Sequence, residues 1–208
     1  MYYACFAAVF CFGIEQFFGT LFKDRRKGNS VACVSFQSWL LFRSFREVFA
    51  VGMYGKSSRL CDLENSLSAL MGYFLYDFLY LIRRQDWKFM LHHLIGMYMI
   101  VESLKNQFTP KIVLAYHIFI IVSECMNPIS NLKHLTRNHP RLYRWNTALH
   151  FYCFTLFRMI LFPLVSYIGV DYIPKKQLQK YYVVNSSLYL MSSFWYIKLW
   201  HLYKKVVE

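Results

Sequence analysis

Seven apolar stretches divide the chain, and short segments rich in charged residues separate them. They cover residues 2–22, 32–54, 66–82, 89–104, 111–131, 147–169 and 181–203. Most of them approach the roughly 20 residues that an α-helix needs to cross a bilayer. Pro128 and Pro163 lie late in their stretches and predict kinks or helix ends there. The pattern predicts an all-α polytopic membrane helical bundle with about seven transmembrane helices.

The second stretch is the least typical span, because Arg43, Arg46 and Glu47 interrupt its apolar run. With seven spans, 14 Lys and Arg residues fall on one side of the membrane and 7 on the other. Without the second span, the split becomes 13 to 10. Since cytosolic loops carry an excess of Lys and Arg, the clearer bias favours seven spans. It places the N-terminus in the lumen or outside the cell and the C-terminus in the cytosol.

The composition agrees with a multi-pass integral membrane protein. Hydrophobic residues make up 57% of the 208 residues, charged residues only 17%, and the mean hydropathy is +0.26. The formal net charge is +13, but most of the Lys and Arg side chains lie in short clusters between the apolar stretches. This distribution predicts contact with an anionic membrane surface and no binding of nucleic acid. Membrane lipids are therefore the expected partners.

Several ionisable and polar residues lie inside the apolar stretches, notably Asp77, His92, His93, Glu124 and Asn127. Exposing a charge to lipid costs about 2.5 to 3.5 kcal/mol or more, so such residues usually face an interior and often mark function. We therefore expect them to converge on a polar centre of the bundle.

The fifth stretch carries two of these polar residues on one helical face. His117 and Glu124 are seven residues apart, which places them within about 20° of each other on an α-helix. Asn127 follows Glu124 by three residues and lies beside it. Such a stripe predicts ligand-binding side chains, or alternatively a polar seam that only packs helices together.

The cations within the stretches allow two interpretations. Arg43 and Glu47 are four residues apart and could pair on one helix, so Arg46 would need Asp77 or Glu124 as its partner. Alternatively, Arg46 and Arg158 present positive charge to an anionic ligand such as a lipid phosphate or carboxylate. Internal neutralisation is favoured, because an unpaired buried charge is expensive.

The adjacent histidines point to proton chemistry more than to metal binding. Neighbouring residues on a helix point about 100° apart, so His92 and His93 cannot clasp one metal ion as an i, i+4 pair does, and we expect no metal site. A neutral histidine acts as a base or nucleophile when a carboxylate orients its other nitrogen, and Asp77 and Glu124 are the candidates. Interior histidines that merely bind a carbonyl or a tyrosine hydroxyl are the alternative.

The ordered set of motifs resembles the TLC domain of the TRAM, Lag1 and CLN8 proteins. The segment Gly72 to Asp77, the His92–His93 pair, Ser123-Glu124 with Asn127-Pro128, Arg158 and the segment Ser193 to Lys198 carry this resemblance, which extends over residues 36–205. It is closest to the small TLC domain-containing proteins. The resemblance implies a TLC domain over residues 31–208, preceded by an extra transmembrane helix and a basic loop over residues 1–30. It further implies six helices around a central, lipid-sized cavity.

The resemblance implies a role in membrane lipid homeostasis, in which the protein binds lipids or regulates phospholipid or sphingolipid composition. It implies the endoplasmic reticulum or plasma membrane as the location, no cofactor, and a homo-oligomer as one option. The ligand-binding candidates are His117, Asn127, Arg46 and Arg158.

The alternative function is an acyl-CoA-dependent lipid acyltransferase similar to ceramide synthase. His92, His93, Asp77 and Glu124 would then be catalytic, with acyl-CoA as a substrate. Ceramide synthases carry a His-Asp pair in the following span, whereas Ile118 follows His117 here. This departure favours lipid homeostasis over acyl transfer.

Overall fold

The computed structural model describes residues 2–54, 60–105, 110–173 and 175–208, and every regular element within these ranges is helical. The α-helices are α1 (Tyr2–Leu21), α2 (Arg25–Tyr54), α3 (Leu60–Arg84), α4 (Trp87–Leu104), α5 (Pro110–Glu124), α6 (Asn127–Thr136), α7 (Pro140–Phe154), α8 (Phe162–Gly169) and α9 (Leu178–Val206). A π-helix (Thr155–Leu161) joins α7 to α8, and two short 3₁₀ turns (Val170–Tyr172 and Lys175–Gln177) lead to α9. The prediction of an all-α fold is confirmed.

The helices form seven long segments in the same order as the seven apolar stretches. Two of the segments are interrupted, α5 from α6 at Cys125 and Met126, and α7 from α8 by the π-helix. Pro128 and Pro163 each stand in the first turn of the helix that follows the interruption. A proline is tolerated there because the backbone N–H that it lacks would have no partner within the helix. The predicted helix ends near these two prolines are confirmed, and the predicted kinks stay predictions.

Three helical stretches are long and apolar enough to cross a membrane by length and composition, within the ranges given above. They are Tyr2–Leu21, Ile112–Thr136 and Pro140–Gly169. Large apolar side chains also point outward from several helices, including Val9, Trp145 and Tyr167, which are at least 71% exposed. An outer surface of this kind suits hydrocarbon better than water. These features are those of an integral membrane protein.

Helix α1 packs closely against α2 and α3. A Cβ atom on Gly72 would overlap the backbone of Ala4, so glycine allows α3 to approach α1 at this point. Near the other end of α1, the buried carboxylate of Glu15 accepts hydrogen bonds from Arg25 Nε at 2.6 Å and Tyr76 Oη at 3.1 Å. The first helix is therefore fixed to the bundle by both backbone contact and an ion pair. The predicted domain boundary at residue 30 stays a prediction.

Successive segments reverse direction through short connections, which gives the bundle two ends. One end carries the α1–α2, α3–α4 and α6–α7 connections and the C-terminus of α9. We call it the basic end, because Arg84, Lys88, Arg137, Arg141, Lys204 and Lys205 lie there. The opposite end carries the α4–α5 connection and the segment between α8 and α9. Each end contains a cavity of several hundred Å³, and these two cavities differ in their lining.

Candidate functional site: a polar and an apolar cavity

The cavity at the basic end is polar and has a volume of about 380 Å³. Its walls come from α2, α3, α4, α6, α7, the π-helix and α9. Its lining includes Gln37, Asp77, His92, His93, Asn127 and Arg158. We call it the polar cavity. Five of the eight predicted site residues, namely Asp77, His92, His93, Asn127 and Arg158, thus line one space.

An acid–histidine pair is the central contact of the polar cavity. His93 Nε2 on α4 lies 2.6 Å from Asp77 Oδ2 on α3, and both side chains are largely buried. A carboxylate only accepts, so in the neutral imidazole the proton lies on Nε2 and the lone pair on Nδ1. That Nδ1 has no hydrogen-bond partner in the described part of the chain. The pair therefore has the geometry of an oriented base or nucleophile.

Aromatic contacts hold the two adjacent histidines in different directions. The ring of Phe74 stacks on His93 with a centroid distance of 4.9 Å, and it fits there because Gly96 has no side chain to meet it. His92 instead meets the indole of Trp195 edge-on at 5.1 Å. Within the part of the chain that the structure describes, only His93 of the two contacts a carboxylate, so the structure separates the roles of the two neighbours.

A chain of hydrogen bonds runs along one wall of the polar cavity and joins four helices. The amide nitrogen of Gln37 donates to Tyr73 Oη at 2.9 Å, and the Asn131 amide donates to Gln37 Oε1 at 3.2 Å. Asn127 Nδ2 in turn donates to Glu124 Oε2 at 2.5 Å. Asn131 also donates to the carbonyl of Asn127 at 3.1 Å, which closes the chain. Glu124 thus accepts a hydrogen bond from this network, whereas Asp77 orients His93.

The π-helix places its one arginine, Arg158, against this network. Arg158 is 4% exposed, and one of its terminal nitrogens lies 4.0 Å from Glu124 Oε1. A π-helical turn inserts an extra residue into the helix and shifts the side chains that follow, and such turns are frequent at functional sites. Arg158 therefore reaches the cavity while Glu124 partly balances its charge.

Two predicted ligand-binding residues lie away from the polar cavity lining. His117 is fully buried, with Nδ1 at 3.3 Å from Ser44 Oγ on α2. Arg46 donates to Glu47 Oε1 at 2.7 Å, and its side chain is 57% exposed. The sequence suggested Asp77 or Glu124 as partners of Arg46, because spacing along a helix cannot show that its neighbour Glu47 bends toward it. His117 and Glu124, predicted on one face, contact different elements.

The second cavity lies at the opposite end and is almost entirely apolar. It has a volume of about 440 Å³ and is bounded by α4, α5, α8 and the start of α9. Its lining is formed by Met99, Ile112, Leu114, Ala115, Ile118, Phe119, Val165, Ile168, Gly169 and Ile173, with Tyr116 and Tyr181. We call it the apolar cavity. Its size is in the usual range for small-molecule sites, and its surface offers hydrocarbon contacts with few polar groups.

Phe162 lies between the two cavities. Its ring is 1% exposed and packs against Phe119, which lines the apolar cavity, at a centroid distance of 5.4 Å. The guanidinium of Arg158, which lines the polar cavity, lies 5.9 Å from the same ring centroid. One aromatic side chain thus contacts a wall of each cavity.

Several polar residues of the lining were missed by reasoning from sequence, among them Gln37 and Lys133. Gln37 and Lys133 both face the polar cavity, but neither belongs to a motif. Gln37 lies in an apolar stretch, so its burial could have been noticed. Within the ranges that the structure describes, no three His, Cys, Asp or Glu side chains are grouped closely enough to hold a metal ion.

Comparison with known proteins gives one match. A family model described as TLC domain matches residues 29–201 of the chain. No curated protein and no solved structure matches the chain. The matched region includes every residue that lines the polar cavity except Leu202.

Proposed function

The chain belongs to the TLC domain family, and we propose on this premise that it acts in membrane lipid homeostasis by binding a lipid within its helical bundle. The apolar cavity carries the proposal. It offers about 440 Å³ of space walled by aliphatic and aromatic side chains, in a protein with helices long and apolar enough to cross a membrane. An acyl chain is the ligand that matches such a lining, because apolar burial is favourable and needs no polar partner.

The proposal includes the topology of the bundle. We place seven transmembrane segments in the membrane, with six around the two cavities and α1 outside them. The cytosol lies at the basic end, so the N-terminus faces the lumen or the cell exterior and the membrane is that of the endoplasmic reticulum or the cell surface. The clustering of Lys and Arg near the α1–α2, α3–α4 and α6–α7 connections supports this orientation.

Acyl transfer is a second candidate, and the 2.6 Å contact between Asp77 and His93 favours it. In such a reaction His93 Nδ1 takes the proton from an amine or hydroxyl nucleophile as that nucleophile attacks the thioester carbonyl of an acyl-CoA. The imidazolium, stabilised by Asp77, then returns the proton to the departing coenzyme A thiolate. The products are an acylated lipid and free coenzyme A.

Lipid profiles of cells that lack the protein separate the two candidates. The cells would be rescued with wild type, with Ala115→Phe, which fills the apolar cavity, or with His93→Ala, which removes the base. For lipid binding without chemistry we expect His93→Ala to restore the profile and Ala115→Phe to fail. Rescue by Ala115→Phe together with failure of His93→Ala would favour acyl transfer. Immunoblots of the membrane fraction check that each variant accumulates equally.

A further inference from the structure

The lining of the polar cavity carries an excess of positive charge. Arg84, Lys133, Arg158 and Lys198 contribute four cations, and Asp77 and Asp86 contribute two carboxylates. One of these carboxylates already accepts a hydrogen bond from His93, and Arg158 is partly balanced by Glu124 at 4.0 Å. A cavity with this balance attracts an anion.

His150 on α7 supplies an observation independent of charge. Its side chain lines the polar cavity and is 5% exposed, yet neither ring nitrogen has a hydrogen-bond partner in the described part of the chain. Its one recorded ring contact is with Phe154, at 6.0 Å between centroids. Buried polar atoms are almost always paired, so two unpaired nitrogens on one ring indicate that a partner enters from outside the chain.

Lys133 on α6 lines the same cavity and supplies an ammonium group there. Its ammonium group makes no hydrogen bond or ion pair with any residue that the structure describes, although the side chain is partly buried. His92 Nδ1 and His93 Nδ1 are likewise buried without partners there. The unpaired hydrogen-bonding atoms of four side chains thus converge on one space.

We propose that the polar cavity binds a phosphate ester, with Lys133 and His150 as direct contacts of the phosphate oxygens. A phosphate offers several acceptor oxygens, which suits donors that approach from α6, α7 and the π-helix, and charge-assisted hydrogen bonds to it are strong. The phosphate belongs either to the headgroup of a bilayer lipid or to a soluble phosphate ester. The lipid source rests on the proposed lipid-binding function, and the soluble source does not.

Matched ligand pairs test the proposal on the purified full chain in detergent micelles by native mass spectrometry. Phosphatidic acid is compared with diacylglycerol that carries the same chains, and coenzyme A is compared with pantetheine, which lacks its phosphates and its adenosine. Lys133→Met removes one cation from the cavity, and Lys205→Met removes one from the exposed C-terminal tail at the same end as the control. Loss of one charge-assisted contact is expected to weaken phosphatidic acid binding by about tenfold in the first variant only.

The outcomes separate this inference from the proposed function. Equal binding of phosphatidic acid and diacylglycerol, with no preference for coenzyme A, overturns the phosphate site and leaves lipid binding intact. A preference for coenzyme A over pantetheine that Lys133→Met abolishes, without binding of any lipid, supports the phosphate site and overturns the lipid-binding function. Absence of binding by all four ligands overturns both.

A stability measurement distinguishes a ligand contact from a structural histidine. If His150 serves a ligand, His150→Leu removes two unpaired buried nitrogens and should raise the melting temperature of the ligand-free protein while lowering phosphatidic acid affinity by about tenfold. The exposed residue His201, changed to Leu, is the control and should alter neither quantity. A fall in the melting temperature with unchanged affinity would overturn the assignment of His150.

Discussion

The two cavities differ in the hydrogen bonding of the side chains that line them. At the polar cavity, Asp77 and Asn127 of the lining and Glu124 behind it are paired within the protein, while nitrogens of His93 and His150 have no partner among the described residues. The apolar cavity has no such demand, because the hydroxyls of Tyr116 and Tyr181 are hydrogen-bonded within the protein and the rest of its lining needs only van der Waals contact. A ligand of the first cavity must therefore match defined atoms, whereas a ligand of the second needs only to fill space. The polar cavity can therefore discriminate between ligands by their hydrogen-bonding groups, whereas the apolar cavity accepts any apolar group that fits its volume.

Removing the side chain that lies between the cavities should have the largest effect. Phe162→Ala deletes a fully buried ring that contacts both linings, and such deletions cost about 3 to 5 kcal/mol of unfolding free energy. It should also join the two spaces into one. Unfolding in mixed micelles measures the loss. Phe42→Ala, at a residue 71% exposed, is the control and should cost little. Equal costs for the two variants would contradict the placement of Phe162.

Displacing α1 should disturb the polar end selectively. Gly72→Ala places a methyl group against the backbone of Ala4 and forces α1 away from α3, which we expect to cost about 1 to 3 kcal/mol. Helices α2 and α3 wall the polar cavity and contribute nothing to the apolar lining. Phosphatidic acid binding should weaken more than diacylglycerol binding. The matched control is Gly13→Ala on α1, because no atom lies within 4 Å of the added carbon.

Much of the polar cavity could be predicted from sequence, because ionisable residues are rare in apolar stretches and must face an interior. Asp77, His92 and His93 were identified this way, although the sequence could not show which acid contacts which histidine. The pairing of Asp77 with His93 depends on how α3 packs against α4. Phe74 packs beside Gly96 there and stacks on the His93 ring. The apolar cavity could not be predicted from residue spacing, because apolar residues show the same sequence pattern whether they line a cavity or pack against each other in a core. Only the family resemblance suggested a lipid-sized cavity, and it implied a single central cavity instead of the two cavities described above.

The coupling energies of two hydrogen-bonded pairs, one at each cavity, allow a finer comparison of the two regions. A double-mutant cycle on Asp77→Asn and His93→Gln should give a coupling energy of about 1.5 to 3 kcal/mol, since the hydrogen bond is charge-assisted. The neutral Ser103–Tyr116 contact, 2.7 Å long and next to the apolar cavity, should give about 0.6 kcal/mol. Both cycles use unfolding free energies in mixed micelles. Equal couplings would show that Asp77 and His93 do not interact as a charged pair.

Filling the apolar cavity should change stability only slightly, and it should stabilise the protein, whereas Phe162→Ala and Gly72→Ala destabilise it. Ala115→Phe adds a ring to an empty, apolar space, so we expect the unfolding free energy of the ligand-free protein to rise by about 1 kcal/mol. The same ring should exclude an acyl chain, so added lipid should no longer stabilise the protein. Ala148→Phe is the control, since Ala148 lines neither cavity and its substitution should leave lipid stabilisation unchanged. If Ala115→Phe kept full lipid stabilisation, the acyl chain would not bind in the apolar cavity. The headgroup and the acyl chain would then both bind at the basic end of the bundle.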